Sequence, residues 1–151
     1  MTVKGTKQGV LKGTSPRKNI RVLSYELQCV VPYDTATGTV SGRRQHKPVK
    51  IQKECDAASP QLWQALCTNE VLETVQIVVF TEDAAGTELV QRTITLTNAS
   101  VVDVHDLPVP PSSDGEMIFR EIEEVSFTFQ RIEIGNPIGQ TSACDDWNIN
   151  G

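Results

Sequence analysis

The side chains best suited to nucleophilic or metal chemistry in this chain are two histidines, His46 and His105, and four cysteines, Cys29, Cys55, Cys67 and Cys144. Either histidine can be considered as a base for Cys55, or as a base oriented by Asp103. A cysteine–histidine pair works only when the two touch and a third group orients the base, and nothing in the spacing brings these residues together. His105 with Asp103 and Asp106 is a candidate metal set, but alternating polar residues are more simply the open face of a strand. There is no C-x-x-C, G-x-S-x-G, H-E-x-x-H or phosphate-cradling glycine loop. The expectation is no enzyme: no catalytic residue, no metal and no cofactor. Without a visible signal peptide the thiols are expected to stay reduced, and Cys29 and Cys67, in apolar patterns, to act as small core residues.

The strongest local charge run is Gly42-Arg43-Arg44-Gln45-His46-Lys47-Pro48. It stands in a chain with 14 Lys+Arg against 19 Asp+Glu, a formal charge of −5 and a pI near 5.0. Four cations without interleaved aromatics make a poor nucleic-acid patch, because phosphate contacts need a basic face. A solvated loop and a contact with another protein chain remain. The start, Met1-Thr-Val-Lys-Gly, has no apolar core of a signal peptide. No apolar run approaches the roughly 20 residues of a membrane helix. At 151 residues the chain fits one domain, 1–151, that can bury a core without metal or disulfides.

Period-two alternation dominates the elements that must position these residues, and it is the strand signal. From Ile20 to Val31, Leu23, Tyr25, Leu27, Cys29 and Val31 fall on one face, and Ser24, Glu26 and Gln28 on the other. Such a strand belongs to an antiparallel sheet with one wet side. Pro32 to Gly42 reads as a loop, and Val49 and Ile51 as part of a short strand. Ser59-Pro60 predicts an N-cap and first helical residue, followed by Leu62, Trp63 and Leu66 as an apolar stripe on a helix to about Asn69. Thr74–Phe80 and Leu89–Leu96 predict a hairpin around Glu82-Asp-Ala-Ala-Gly86. Ser100–Val104 predicts another strand, Pro108–Gly115 a loop, and Glu121–Ile134 a long strand whose alternation shifts near Arg131, as a bulge would cause. Gly135–Gly151 reads as irregular, with Trp147 as a clasp on the body or an interface anchor. The sum is mainly β: a small antiparallel β-barrel of two packed sheets with one short α-helix.

Several segments in order resemble the Hcp family, the haemolysin-coregulated tube proteins of type VI secretion. They are Thr37-Gly38, Gly42 to Pro48, Lys53-Glu54, Asp56, Ser59-Pro60-Gln61-Leu62, Ala65-Leu66, Asn69-Glu70, Thr95-Leu96-Thr97-Asn98-Ala99, Glu124-Val125-Ser126-Phe127, Arg131-Ile132 and Asp145-Asp146-Trp147. The resemblance implies a structural subunit that forms hexameric rings stacked into an inner tube carrying effector proteins. It also implies spike, sheath and baseplate partners, and export from the cytoplasm without a signal peptide or membrane insertion. Gly42, Arg43, Arg44, His46, Lys47 and Pro48 then become an inter-subunit or ring-stacking loop, since an acidic subunit stacking on itself needs complementary charge. Acidic partners for it are Glu82-Asp83 or Asp145-Asp146. Ser24, Glu26 and Gln28 become candidates for the lumen face. The chain ends soon after Trp147, which implies a plain tube subunit without a fused effector. The alternatives are a phage-like tail-tube protein and a monomeric β-sandwich binding module.

Overall fold

The computed structural model describes residues 1–15, 18–108 and 121–148. In chain order the elements are β1 (Thr2–Gly5), β2 (Gly9–Val10), β3 (Ser24–Glu26), β4 (Cys29–Val30), β5 (Gln45–His46), β6 (Val49–Glu54), α1 (Ser59–Cys67), β7 (Leu72–Glu82), β8 (Glu88–Pro108), β9 (Glu121–Thr128), β10 (Arg131–Asn136) and β11 (Thr141–Asp146). The main sheet runs β2-β1-β7-β8-β9-β6-β3, with β10 paired to β8 and to β11, while β4 and β5 pair separately. All pairings are antiparallel. The mainly β, one-helix class expected from the alternation holds, but the sheet does not close into a barrel among the described residues.

The sheet folds over a core because its longest strand changes partners. The first half of β8 pairs with β7 and β10, and the second half, from Ser100, pairs with β9. The corner lies at Asn98, whose φ of 49° is one that Asn tolerates better than most residues. Its Nδ2 donates to Gln130 Oε1 at 2.8 Å, and the Gln130 N–H reaches the carbonyls of Thr97 and Asn98 at 3.2 Å. Both strands therefore bend together. The two strands expected at Leu89–Leu96 and Ser100–Val104 are one bent strand, and the shift near Arg131 is the break between β9 and β10. Val3, Val75, Ile94, Leu96, Val125 and Phe127 are fully buried in the resulting core.

Other local expectations need correction. Ile20–Val31 is not one strand. Only Ser24–Glu26 joins the main sheet, and Cys29–Val30 leaves it to pair with β5, so Leu23, Cys29 and Val31 are exposed. Cys67, at the helix end, is exposed as well. The helix forms where the sequence indicates but runs Ser59–Cys67, one residue earlier at its start than expected: Ala58, not Ser59, is its N-cap and makes no side-chain cap bond. The Ser59 hydroxyl is drawn instead into a buried ion pair described below. Leu62 and Ala65 are buried, whereas Trp63 is 43 % exposed, one residue off the packed stripe. The hairpin around Asp83 and Gly86 forms as expected, with Asp83 Oδ1 accepting from the N–H groups of Ala85 and Thr87, each at 2.8 Å. The β1–β2 hairpin and β11 are additional strands. Most of the expected Pro108–Gly115 loop lies outside the described residues, as do Arg17 and the last three residues.

Candidate functional site

Residues 29–46 form an arm off the sheet. It is held at its base by Cys29↔His46 and Val30↔Gln45 and further out by a Tyr33↔Val40 bridge. Asp34 shapes the tip: its Oδ1 accepts from the Ala36 N–H at 2.7 Å, and its carbonyl accepts from the Gly38 N–H at 2.8 Å. Residues 31–43 are all exposed, Tyr33 and Val40 by 62 % and 63 %.

Period two then divides the basic run. Arg44 and His46 turn toward the body, while Arg43, Gln45 and Lys47 face solvent. The Arg44 Nε donates to Asp145 Oδ2 and its Nη2 to the Asp146 carbonyl at 3.0 Å. The His46 Nε2 meets the same Asp145 oxygen at 2.6 Å. The imidazole packs edge-on against Phe129, with centroids 5.3 Å apart, and against Trp147 at 5.7 Å. The Arg44 hydrogen bond is the largest cause holding the Asp145 carboxyl down at about 2; burial opposes it and the His46 bond adds to it. Asp145, foreseen as an acidic partner for a neighbouring chain, is thus occupied within its own. Gly42 is exposed and Pro48 half-buried.

The polar side of β3 extends into a wider wet face. Ser24 and Glu26 are exposed on it, and Gln28 is exposed just beyond. Ser24 pairs in register with Gln52 and Glu26 with Lys50; Lys50 and Gln52 both reach Glu124, at 3.6 Å and 3.4 Å. The exposed His105 and Asp103 lie on β8 opposite the half-buried Glu124 and the buried Ser126. The structure brings neither of them to His46, which is engaged with Asp145.

Two buried acids were not singled out by the sequence reading. Lys53 and Glu123 are register partners on β6 and β9, fully out of solvent. Lys53 Nζ donates to Glu123 Oε1 at 2.6 Å and to Ser59 Oγ at 3.2 Å, and pairs with Asp56 at 2.7 Å. Ser59 Oγ donates to the same Glu123 oxygen at 2.7 Å. Their parity was the available signal: Lys53 is in phase with Val49 and Ile51, and Glu123 with Val125 and Phe127. Glu70, just after α1, accepts from the N–H groups of Lys7 and Gln8 at 2.7 and 2.9 Å and from Gln8 Nε2 at 2.9 Å. Burial raises its pKa, but these bonds outweigh burial and leave it below the ordinary value.

The Cys29 Sγ also lies 3.9 Å from His46 Nε2, the ring nitrogen that already meets Asp145, so among the described residues this thiol, imidazole and carboxylate do not line up as nucleophile, base and orienting group. Residues 1–135 match the family described as type VI secretion system effector, Hcp. The chain belongs to the Hcp family. It is 32 % identical to the major exported protein of Pseudomonas aeruginosa, over 97 % of this chain and 93 % of that protein. A crystal structure of an Hcp protein superposes with a TM-score of 0.87 at 23 % identity, covering 97 % of this chain and 95 % of that one. The secreted protein Hcp3 from Pseudomonas aeruginosa superposes at 0.78 with 29 % identity, over the same shares of the two chains. The Hcp family is a structural family of the type VI secretion system rather than an enzyme family. Among the described residues no helix is long and apolar enough to cross a membrane.

Proposed function

We propose that this Hcp protein is the inner-tube subunit of a type VI secretion system: residues 1–151 act as one tube domain, six copies close into a ring, and rings stack into a tube that carries effectors. The family match over residues 1–135 carries this reading. In it the protein is made in the cytoplasm and leaves with the expelled tube, in keeping with the exported relative, and meets the spike, sheath and baseplate of the machine. The exposed arm, together with Gly42, Arg43, Lys47 and Pro48, supplies a stacking contact. Arg44 and His46 hold the arm's root against Asp145. Ser24, Glu26 and Gln28 face the lumen, where a polar, hydrated wall releases cargo without sticking. Ring closure would also cover β2 and β3, the terminal strands of the sheet path, which otherwise offer unpaired edges.

Size-exclusion chromatography with light scattering tests the ring. A species near six times 16.6 kDa supports it, and a strict monomer at high concentration overturns it. For the lumen, a ring structure placing Glu26 on the outer wall removes that assignment. A virion-tail tube would share the ring and be separated by its gene neighbourhood.

A further inference from the structure

We infer that Cys55, Asp106 and Glu123 form a binding site for a single divalent transition-metal ion of the zinc type. The Cys55 Sγ and one carboxylate oxygen from each acid lie within 4.8 Å of one another. Corners of a zinc tetrahedron lie about 3.5 Å apart, given metal–ligand distances of about 2.0 to 2.3 Å. The closure needed is therefore small, and Asp106, exposed toward the end of β8, is free to supply it. A thiolate with two carboxylates suits zinc better than calcium or magnesium, which take oxygen ligands.

Two observations point to a cation as the ligand of this cluster. Glu123 Oε1 is saturated by Lys53 and Ser59, but its Oε2 is buried with no hydrogen-bond partner. A buried carboxylate oxygen without a partner is costly, and native proteins rarely leave one. In addition, Asp106 and Glu123 are direct cross-strand partners, so two like charges face each other in one row of the sheet. Such a pair is destabilising unless something bridges it. Lys53 lies on the other side of Glu123 and is already shared with Asp56. The backbone places the thiol deliberately: the Cys55 N–H donates to the Glu121 carbonyl at 2.9 Å, extending β6 by one more bond alongside β9.

The three residues line a cavity of about 510 Å³ that Trp63 and Cys67 of the helix also line. Three protein ligands leave the fourth position of a tetrahedron open on this side, for water or an incoming donor.

The test is titration of the reduced full-length protein with Zn²⁺ by calorimetry, and with Co²⁺ by absorption. The expected result is one ion per chain, a thiolate-to-cobalt charge-transfer band, and at least a tenfold loss of affinity in both Cys55→Ser and Asp106→Asn. The Cys29→Ser/Cys144→Ser double variant, which removes the thiols remote from this cavity, should bind as the parent does. It guards against a misfolded single variant, because its cobalt band must then come from Cys55 or the adjacent Cys67. No binding at micromolar Zn²⁺, unchanged binding in Cys55→Ser or Asp106→Asn, or loss of the band in the double variant would each overturn the assignment.

Discussion

Lys53 and Glu123 face each other across β6 and β9 at 2.6 Å, and neither side chain reaches solvent. A buried pair of this kind adds little over an apolar pair of the same shape, but removing one partner strands the other charge. Here Asp56 would lose the same cation, while Ser59, bonded to both members, ties the pair to the start of α1. Lys53→Met should therefore lower the unfolding free energy by about 3 to 5 kcal/mol. The double change Lys53→Met with Glu123→Leu should recover most of that. Urea unfolding read by tryptophan fluorescence measures both, and a Lys53→Met protein as stable as the parent would show that the pair is dispensable.

The Arg44–Asp145 clasp makes an acid-stability prediction. The Asp145 carboxyl is lowered from an ordinary 3.8 to about 2, so it binds fewer protons folded than unfolded. Its contribution is therefore complete above about pH 4 and lost as pH falls through about 2. Asp145→Asn should flatten the fall in melting temperature across that window while lowering stability at neutral pH by about 1 to 2 kcal/mol, the worth of charge-assisted hydrogen bonds at a partly exposed site. Thermal melts across the window decide it. An unchanged acid slope in Asp145→Asn would assign the pH dependence elsewhere.

How far the sequence revealed this arrangement depended on where each residue's partners lie. Alternation located β6, β7 and the halves of β8 and β9, because burial on one face of a strand imposes period two directly. It failed at Ile20–Val31, where the pattern is continuous but the chain leaves the sheet after Glu26, a tertiary event that no local spacing encodes. Similarly, Ser59 looked like a cap because its type and position suit one, yet its hydroxyl is held by Lys53 and Glu123 from distant strands. The basic run was visible as a charge cluster. Its division into Arg44 and His46 facing inward and Arg43 and Lys47 facing outward required knowing that Gln45–His46 is a strand pair.

Glu70 serves as an anchor for the first hairpin. One carboxylate receives two backbone N–H groups and the Gln8 amide, so it fixes the turn between β1 and β2. Glu70→Gln keeps an acceptor but places an amide donor where Gln8 Nε2 now donates. The expected cost is about 2 kcal/mol, with faster hydrogen exchange at the Lys7 and Gln8 amides. Because the Glu70 pKa is lowered on folding, its contribution is present above its ordinary 4.5 and declines in more acidic solution. Exchange rates at these two amides that match the parent would remove the anchoring role.

The basic run separates assembly from folding. Arg43 and Lys47 are exposed, so charge reversal there should spare the fold, with an unfolding free energy within about 0.5 kcal/mol of the parent's, the spread expected of surface changes. In a tube built from stacked acidic rings, the same reversal removes attraction between successive rings and should shorten or abolish tubes while leaving rings intact. Arg44→Glu is different in kind. It sets a carboxylate against Asp145, loosens the root of the arm, and should lower stability as well as stacking. Light scattering for ring size, electron microscopy for tube length and thermal melts for stability distinguish the two classes. If Arg43→Glu with Lys47→Glu forms tubes as long as the parent's, the run serves only the clasp, and the stacking contact must lie elsewhere on the arm, with Tyr33 and Val40 the next residues to change.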